Sequence, residues 1–490
     1  MNRSLSFGFV AALFLGLAGD IASAKDTLPY RLSAAKGPYF LCDDRVTEDR
    51  WDIERFVVKP QRHEANPLIV RDYPWEGSGP HMGGSVLFDP EAGLFKMWYS
   101  VFDREAYDSK GPFSYNVCYA ESKDGVRWTK PMLGVFDYMG SAQNNCIRLG
   151  TDKTQNIDVC LNPQPRRYRG KFLAIHNQKG GIFVSSSDDG KSFRRLWPET
   201  PAIGYHSDTH NNFVFDEIRK TWLLYCRPRA YAGDHKRRVS LTETRDLSRW
   251  PHERTILVPT ETEAPEFYGM AVFRRGDLFF GLLQVYDRAT GCLHCELAWS
   301  CDGLRWSQLP SHPAFAEPGP PGAWDAGMVL LAENPVAVND ELWFYYGGFQ
   351  KNHNAEDNPC AIGLLKSERD RLVGLRPSNK NPGYVLTRPF NPSGKRLMVN
   401  ARIAGELRAE LRVDRNKTVD GWMLTDCDPV RESGFARELT WHGKPLGQCG
   451  LKEVQIRFEL RDAELFTLDL ERRMSRALAS SSSLPNAASR

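Results

Sequence analysis

Short runs of hydrophobic and aromatic residues, separated by glycine, aspartate and proline turns, fill the chain from about residue 82 to residue 375. Hardly any stretch keeps an apolar period of about 3.6 residues, so the pattern predicts antiparallel strands rather than helices. A Ser/Thr-x-Asp turn followed by an aromatic residue recurs within it. The closing aromatics are 65, 57 and 56 residues apart, and they are Trp128, Phe193, Trp250 and Trp306.

Strand patterns recur together with the turn. An aromatic-rich strand pattern precedes each turn, as at residues 94–99 and 341–346, and another apolar strand precedes each of those. A degenerate fifth turn begins at Lys366. Four strands in each of five repeats are typical of a β-propeller, whose blades bury both faces against their neighbours. The sequence therefore predicts an all-β chain with a five-bladed β-propeller at residues 76–376, after a lead-in segment at residues 25–75. The alternative is a pair of β-sandwiches with accidental similarity.

The pattern changes after Leu375. Residues 377–382 form a linker rich in proline, asparagine and lysine, and the turn repeat stops. Apolar and polar residues then alternate over 397–413 and 454–460, which is typical of strands with one buried face. These alternations predict a small C-terminal β-sandwich at residues 384–470. The serine-rich end, residues 471–490, is predicted to be a disordered tail.

The first 24 residues combine a basic start, an apolar run over 7–18 and the small residues Ala22-Ser23-Ala24. This arrangement is typical of a secretory signal cleaved after Ala24, and the apolar run is too short to span a bilayer. The alternative is an uncleaved anchor. No other stretch reaches the ~18 apolar residues that a spanning helix needs. The chain is therefore predicted to be secreted or periplasmic, with no membrane span in its mature form.

The composition and charge of the chain argue against nucleic acid as its partner. The chain has 490 residues, of which 41% are hydrophobic and 11% aromatic, and 64 Lys+Arg against 61 Asp+Glu give a net charge of +3. A chain of this composition can bury a large core. Its balanced charge lacks the excess of basic residues that is typical of proteins that bind nucleic acid. The aromatic residues suit a propeller, because flat side chains fill the wedge between twisted blades.

The eleven cysteines are too few and too scattered to form a disulfide framework in a chain of this length. Cys292, Cys295 and Cys301 have the spacing of half a zinc site, but the matching second half is absent. Buried or disulfide-bonded cysteines are therefore expected, with a connectivity that stays open, and no metal site is predicted.

Candidate chemistry follows from the way a propeller gathers the first strand of every blade around one axis. Polar residues near those strand starts are expected to converge in a single funnel. Carboxylates crowded there raise one another's pKa, which keeps one carboxyl group protonated for acid catalysis. The predicted catalytic residues are Asp158, Asp208, Glu266 and Asp325. The predicted substrate-binding residues are His81, His210, Arg227, Tyr268, Trp324, Tyr346 and His353.

These residues also have structural alternatives. Asp208 and Asp325 can cap turns or accept backbone hydrogen bonds at strand entries. His81 and His353 can be buried histidines with satisfied hydrogen bonds, and Trp324 can pack between blades. A structural calcium ion is compatible with a funnel of carboxylates, which bind hard cations; no other cofactor is predicted.

The five repeats, the Ser-x-Asp-Gly-x-x-Trp turns, Trp324-Asp325-Ala-Gly-Met and Tyr345-Tyr346-Gly-Gly resemble the five-bladed propeller glycoside hydrolases of families 32, 43, 62, 68 and 130. The chain looks closest to secreted proteins described as glycosyl hydrolase family 32-like, and the resemblance covers residues 75–470. It implies an aspartate nucleophile or base, a second aspartate that binds or tunes, and a glutamate acid. Asp158, Asp208 and Glu266 would fill these roles, with Asp325 as a fourth candidate and Glu266 as the acid.

The predicted function is that of a secreted carbohydrate-active enzyme that hydrolyses glycosidic bonds of an oligo- or polysaccharide. The Trp-x-Asn-Asp-Pro opening of invertases is absent, and His81 stands where an aspartate is expected, which argues against activity on fructans. Two alternatives stay open. One is a non-catalytic glycan-binding propeller, and the other is a glycoside phosphorylase whose phosphate pocket would use Arg227, Arg229 and His353.

Overall fold

The computed structural model of the chain describes residues 32, 37–111, 113–149, 154–208, 210–231, 233–259 and 265–472. The predicted signal segment lies outside these residues, as does the predicted tail from residue 473 onward. The described residues form β-strands almost throughout, with one α-helix, Arg104–Asp108, and two 3-10 helices, Pro74–Glu76 and Leu446–Gln448. The prediction of a chain dominated by strands is confirmed. Within the described ranges, no helix has the length and apolar character needed to cross a membrane.

Four short strands begin the described chain, and each pairs with a strand far along the sequence. They are β1 (Tyr39–Phe40), β2 (Thr47–Trp51), β3 (Ile53–Val57) and β4 (Gln61–Arg62). This lead-in is therefore part of the later sheets and does not form a unit of its own.

The repeat region folds into three four-stranded antiparallel sheets and one nine-stranded sheet. We describe the nine-stranded sheet as two groups, which gives five consecutive groups of strands. The first contains β5 (Pro80–His81), β6 (Val86–Asp89), β7 (Leu94–Phe102) and β8 (Tyr115–Ser122), and the second contains β9 (Gln155–Leu161), β10 (Phe172–Gln178), β11 (Gly181–Ser187) and β12 (Arg194–Arg195). The third contains β13 (Asn212–Asp216), β14 (Thr221–Cys226), β15 (Val239–Thr244) and β16 (Arg254–Leu257). The fourth contains β17 (Glu266–Arg275), β18 (Leu278–Tyr286), β19 (Leu293–Ser300) and β20 (Ala314–Ala316), and the fifth contains β21 (Met328–Leu331), β22 (Val336–Val338), β23 (Glu341–Phe349) and β24 (Cys360–Glu368).

The lead-in supplies the outer strand of the fifth group. β4 pairs antiparallel with β24, so that Arg62 lies opposite Leu365 and Gln61 opposite Lys366. One parallel bridge, between Leu293 of β19 and Met328 of β21, joins the fourth group to the fifth. The groups also contact one another in chain order, and β23 and β24 of the fifth return to β5 of the first. The contacts therefore form a closed cycle.

The Asp-Gly turns that mark the repeat share one hydrogen-bond pattern. In the first turn, Asp124 Oδ1 accepts the backbone N–H groups of Val126 and Arg127, while Ser122 Oγ accepts that of Gly125. The φ of Gly125 is +74°, in the left-handed region that favours glycine. The turn is therefore fixed by local hydrogen bonds, which explains its regular recurrence.

Each turn also docks on an aromatic residue of the preceding group. The carbonyl oxygen of Gly125, in the first group, accepts a hydrogen bond from the Tyr345 hydroxyl of the fifth group at 2.7 Å. Equivalent bonds join Trp98 Nε1 to the Gly190 carbonyl at 2.6 Å, Tyr225 to the Gly303 carbonyl at 3.0 Å, and the Leu247 N–H to the Tyr168 hydroxyl at 3.0 Å. Many of the aromatic residues therefore join one group of strands to the next.

The C-terminal strands are β25 (Val373–Pro377), β26 (Gly383–Thr387), β27 (Lys395–Val413), β28 (Lys417–Thr418), β29 (Gly434–Trp441), β30 (Lys444–Pro445) and β31 (Gln455–Arg472). With β1, β2 and β3 they form one ten-stranded sheet, whose main path is β2-β26-β31-β27-β29-β30. The alternating residues Leu407, Ala409 and Leu411 are fully buried in its core with Trp441. Hydrogen bonds join all ten strands into one sheet, and the predicted small β-sandwich stays a prediction.

The boundaries of this sheet differ from the predicted limits of 384 and 470. β25 begins at Val373, and the predicted linker at residues 377–382 makes the turn between β25 and β26. β31 runs to Arg472. The proline- and asparagine-rich composition of residues 377–382 therefore marks a turn within the sheet.

Candidate functional site

Asn212, at the start of β13, hydrogen-bonds to three other groups of strands. Its side-chain amide donates to Asp158 Oδ2 at 3.1 Å and to the Glu333 carbonyl oxygen at 3.4 Å, and it accepts from the Val272 N–H at 2.9 Å. Ser85 of the first group donates to Asp158 Oδ1 at 2.8 Å. The hydrogen bonds at this buried site therefore join residues of all five groups.

We define the central cluster as His81, Asp158, His210, Asn212 and Glu333. His210 Nδ1 lies 3.2 Å from Glu333 Oε1, whereas His210 Nε2, Glu333 Oε2 and His81 Nδ1 have no hydrogen-bond partner among the described residues. Burial lowers the pKa of both histidines to about 4, and it raises the pKa of Asp158 and Glu333 well above their usual values. Burial therefore disfavours the charged form of each of these four groups, and Asp158 links strands through its hydrogen bonds.

Acidification is expected to destabilise the protein through His81. Its pKa of about 4 is below the usual value of 6.5, so between these pH values the unfolded chain binds a proton that the folded protein does not. The contribution of His81 to the free energy of unfolding falls by about 3 kcal/mol as the pH is lowered across this interval, whereas the raised pKa values of Asp158 and Glu333 act in the opposite direction. Urea titrations across the interval measure the effect. His81→Gln should weaken the pH dependence, whereas His442→Gln, at an exposed position, should keep it; equal slopes in both variants would contradict the assignment.

A second set of polar residues surrounds Tyr268, near the start of β17. Arg227, which follows β14, donates twice to the Tyr268 carbonyl oxygen, at 3.0 and 2.8 Å, and its guanidinium lies 4.6 Å from the centre of the Tyr268 ring. Arg227 Nη1 also donates to Asp208 Oδ2 at 2.6 Å. The Tyr268 hydroxyl lies 2.8 Å from His353 Nε2. We define the outer cluster as Asp208, Arg227, Arg237, Glu266, Tyr268, Arg288 and His353.

Asp208 is the more accessible carboxylate of the outer cluster. Its side chain is 39% exposed, compared with 2% for Glu266. Gln155 Nε2 donates to its Oδ1 at 2.6 Å. Burial raises the pKa of Asp208, but the charge and hydrogen bond of Arg227 outweigh this effect and hold the pKa below its usual value. Asp208 is therefore an anion that a ligand can reach.

Glu266, at the start of β17, is held between two arginines. Its Oε1 accepts from Arg288 Nε at 2.5 Å, and its Oε2 accepts from the side chain and backbone N–H of Arg237 at 2.8 and 3.0 Å. Burial raises the pKa of Glu266, but Arg288 and Arg237 outweigh it and lower the pKa below its usual value. Glu266 is therefore an anion in this structure, which differs from the protonated general acid that the sequence predicted.

Aromatic rings form the wall beside these charges. The Arg237 guanidinium lies 5.2 Å from the centre of the Tyr268 ring and 5.4 Å from that of Tyr286, and the Tyr286 and His353 rings are 5.0 Å apart. Burial raises the pKa of Tyr268, and burial together with the charge of Arg237 lowers the pKa of His353. The outer cluster therefore combines neutral rings with charged guanidinium and carboxylate groups.

Three predicted site residues lie apart from this cluster, in the fifth group. Asp325 Oδ2 accepts hydrogen bonds from Arg62 of β4 at 3.0 Å and from the Tyr346 hydroxyl at 2.9 Å. The Trp324 ring stacks on that of Tyr346 with 5.5 Å between centroids. No described hydrogen bond or ion pair joins these residues to the outer cluster. Asp325 therefore pairs with a cation that the lead-in strand supplies, and its catalytic role stays a prediction.

The sequence reasoning missed Asn212, Glu333, Arg237 and Arg288. Arg237 lies in the basic run of residues 236–238, which was an available signal. Glu333 had no such signal, because it falls in the break between the short strands β21 and β22. His81 and His210, by contrast, were predicted to converge, and they interact electrostatically in the central cluster.

Within the described ranges, no set of three or more His, Cys, Asp or Glu side chains is arranged to hold a metal ion. All eleven cysteines are free and seven of them are buried, including Cys295 of the half zinc site. Cys118 and Cys146 face each other with 3.6 Å between their sulfur atoms. The cysteines are therefore mainly core residues, which is one of the two expectations from the sequence.

No protein-family profile and no curated protein sequence match the chain. Similar solved structures include an N-acetylgalactosamine deacetylase from F. plautii in complex with blood group B trisaccharide, which is 14% identical with a TM-score of 0.41 over 66% of this chain and 97% of that one. A β-1,2-mannobiose phosphorylase from Listeria innocua is 13% identical with a TM-score of 0.44 over 64% and 97%. The catalytic domain of an α-L-arabinofuranosidase from Coprinopsis cinerea is 15% identical with a TM-score of 0.39 over 63% and 94%. Glycoside hydrolases are thus among the solved structures to which the chain is similar.

Proposed function

We propose that the five groups of strands are the blades of a β-propeller built around the central cluster. Two observations support this. The groups contact one another in a closed cycle, and the turn of one group docks on an aromatic residue of the group before it, as Gly125 does on Tyr345. The first strands of the blades then lie innermost, because Asp158, Asn212 and Val272 of β9, β13 and β17 meet there. We also propose that the chain is exported, as residues 1–24 predict.

We further propose that the chain is a carbohydrate-active enzyme that cleaves glycosidic bonds at the outer cluster. The observation that carries this proposal is the accessible, ionised carboxylate of Asp208, fixed by Arg227 and Gln155 next to the Tyr268 ring. Glycosidases place such a carboxylate beside the anomeric carbon, as a nucleophile or as a base to water. Aromatic rings such as Tyr268 and Tyr286 offer apolar faces to the C–H groups of a sugar.

Glycan binding without turnover is the second candidate function. It is favoured by the ion pairs of Glu266 with Arg237 and Arg288, because they leave the outer cluster without a protonated carboxyl group while no ligand is bound. A phosphorylase is the third candidate, since guanidinium groups bind phosphate well. All three candidates place the ligand against Asp208, Arg227 and Tyr268.

Reducing-sugar release from a panel of plant and algal glycans, measured with and without inorganic phosphate, tests the proposal. Release without phosphate supports hydrolysis, and release that depends on phosphate supports a phosphorylase. Binding to a glycan array without any release supports the glycan-binding alternative. A panel with neither release nor binding would refute a carbohydrate function.

The pH profile of cleavage is expected to stay flat on its acid side to about pH 5. Arg227 holds the pKa of Asp208 below its usual value of 3.8, so the carboxylate remains ionised throughout that range. Initial rates under saturating and limiting glycan, at constant ionic strength, measure the profile. A fall in kcat/KM already between pH 7 and 5, in protein shown to remain folded, would contradict the role of Asp208.

A further inference from the structure

Positive charge is concentrated on one side of the outer cluster. The loop between β14 and β15, residues 227–238, carries five Lys or Arg residues and one Asp. Arg288, which follows β18, reaches the same place and bonds to the His235 carbonyl oxygen at 3.4 Å. Within the outer cluster itself, three guanidinium groups pair with only two carboxylates, Asp208 and Glu266. The outer cluster therefore holds more positive charge than its own carboxylates neutralise.

Two of these arginines are accessible to a ligand. The side chain of Arg288 is 61% exposed and that of Arg237 is 24% exposed, although both pair with the buried Glu266. Arg227 differs from them, because it is buried and fixed by the Tyr268 carbonyl oxygen and by Asp208. A ligand can therefore compete for Arg237 and Arg288 while Arg227 keeps Asp208 in place.

We propose that the outer cluster binds a glycan that carries a carboxylate or sulfate group, and that this group replaces Glu266 on Arg237 and Arg288. The inference rests on the proposed function and specifies its substrate class. Carboxylates and sulfates both present oxygens that a guanidinium binds through paired hydrogen bonds. Because one anion replaces another, the arginines stay paired, and protonation of the buried Glu266 avoids leaving an unpaired charge there.

The exchange also supplies the acid that the ligand-free cluster lacks. Once the side chains of Arg237 and Arg288 bind the ligand, only the backbone N–H of Arg237 still lowers the pKa of Glu266 against the burial that raises it, so that its carboxyl group can take up a proton. That proton passes to the oxygen of the departing sugar as the glycosidic C–O bond breaks. Water gives its hydroxyl to the anomeric carbon and its proton to Asp208. An anionic substrate thus converts Glu266 from an ion-pair partner into a proton donor.

Matched substrates that differ only in charge test the inference. Cleavage is measured on an oligogalacturonide and its methyl ester, and on a sulfated galactan oligosaccharide and its desulfated form. Hydrogen bonds to a charged group are strong enough to lower KM roughly tenfold or more for the charged member of one pair. The pair that shows the difference identifies the anion. Arg288→Gln should remove the difference, and Arg127→Gln, an exposed arginine paired with Asp124 in the first turn, should keep it.

Glu266→Gln tests the proton donor on the same substrates. It should slow cleavage of the charged oligosaccharide but not that of the 4-nitrophenyl glycoside of the same sugar, whose leaving group needs no proton. Equal or lower KM for the neutral members, or an Arg288→Gln variant that keeps the preference, would overturn the inference while the proposed function stands. Neither cleavage nor binding of any glycan in the wider panel would instead remove the proposed function, and the inference with it.

Discussion

Replacing Asp208 with asparagine is expected to lower kcat for glycan cleavage about 10²–10⁴-fold, the range that a positioned catalytic carboxylate contributes. Asparagine has nearly the same size and can still accept a hydrogen bond from Arg227, but it carries no negative charge. The variant should remain folded, because 39% of the Asp208 side chain faces solvent. Steady-state kinetics on the best glycan of the panel, together with a thermal melt, measure both effects.

Asp325→Asn is the matched control for this prediction. Asp325 was also predicted to be catalytic, but its carboxylate is buried and bonds to Arg62 and Tyr346. We expect this variant to keep its turnover and to lose about 1–3 kcal/mol of stability, since a buried hydrogen-bonded charge is lost. If Asp325→Asn abolished turnover and Asp208→Asn did not, the outer cluster would not be the active site.

Asn212→Ala is expected to lower the free energy of unfolding by about 3 kcal/mol or more, because it leaves buried partners unpaired and opens a cavity. The substitution removes the bonds to Asp158, to the Glu333 carbonyl oxygen and to the Val272 N–H. These partners belong to three different groups of strands. The loss therefore affects the contacts between groups of strands, and urea denaturation followed by tryptophan fluorescence measures it.

Asn162→Ala provides the comparison for the central asparagine. Asn162 also makes three hydrogen bonds, to the carbonyl oxygens of Tyr168 and Gly170 and from the Gln164 N–H, but all lie within one loop. It is only partly buried, so we expect a loss of about 1 kcal/mol. Equal losses in the two variants would show that the central cluster does not hold the groups of strands together.

The repeating part of the fold could be predicted because its signals are local. The turn at Asp124 and Gly125 makes its hydrogen bonds within a few residues, so the same letters recur wherever the same turn is needed. The role of the lead-in could not be predicted in this way. β4 has only two residues, and its partner Leu365 lies about 300 residues later. No pattern in the sequence therefore predicts that these strands pair.

The sequence could predict the site residues that lie next to strand ends. It could not predict how side chains pair with residues distant in the sequence. Asp208, Arg227 and Tyr268 come together because each lies next to the end of a strand, as the propeller model of the sequence required. The charge state of Glu266 depends on Arg237 and Arg288, which are 29 and 22 residues away on different loops. Asp325 likewise pairs with a residue distant in the sequence, Arg62. The spacing of residues along the sequence does not show which arginines pair with Glu266 and Asp325.

A crystal structure of the Asp208→Asn variant with an oligosaccharide from the panel tests the central claim most directly. We predict a sugar ring against Tyr268, with its anomeric carbon next to the side chain at position 208 and its anionic group on Arg237 and Arg288. Glu266 should then be free of both arginines. A sugar bound elsewhere, for example on the C-terminal sheet, with the outer cluster unchanged, would contradict the account.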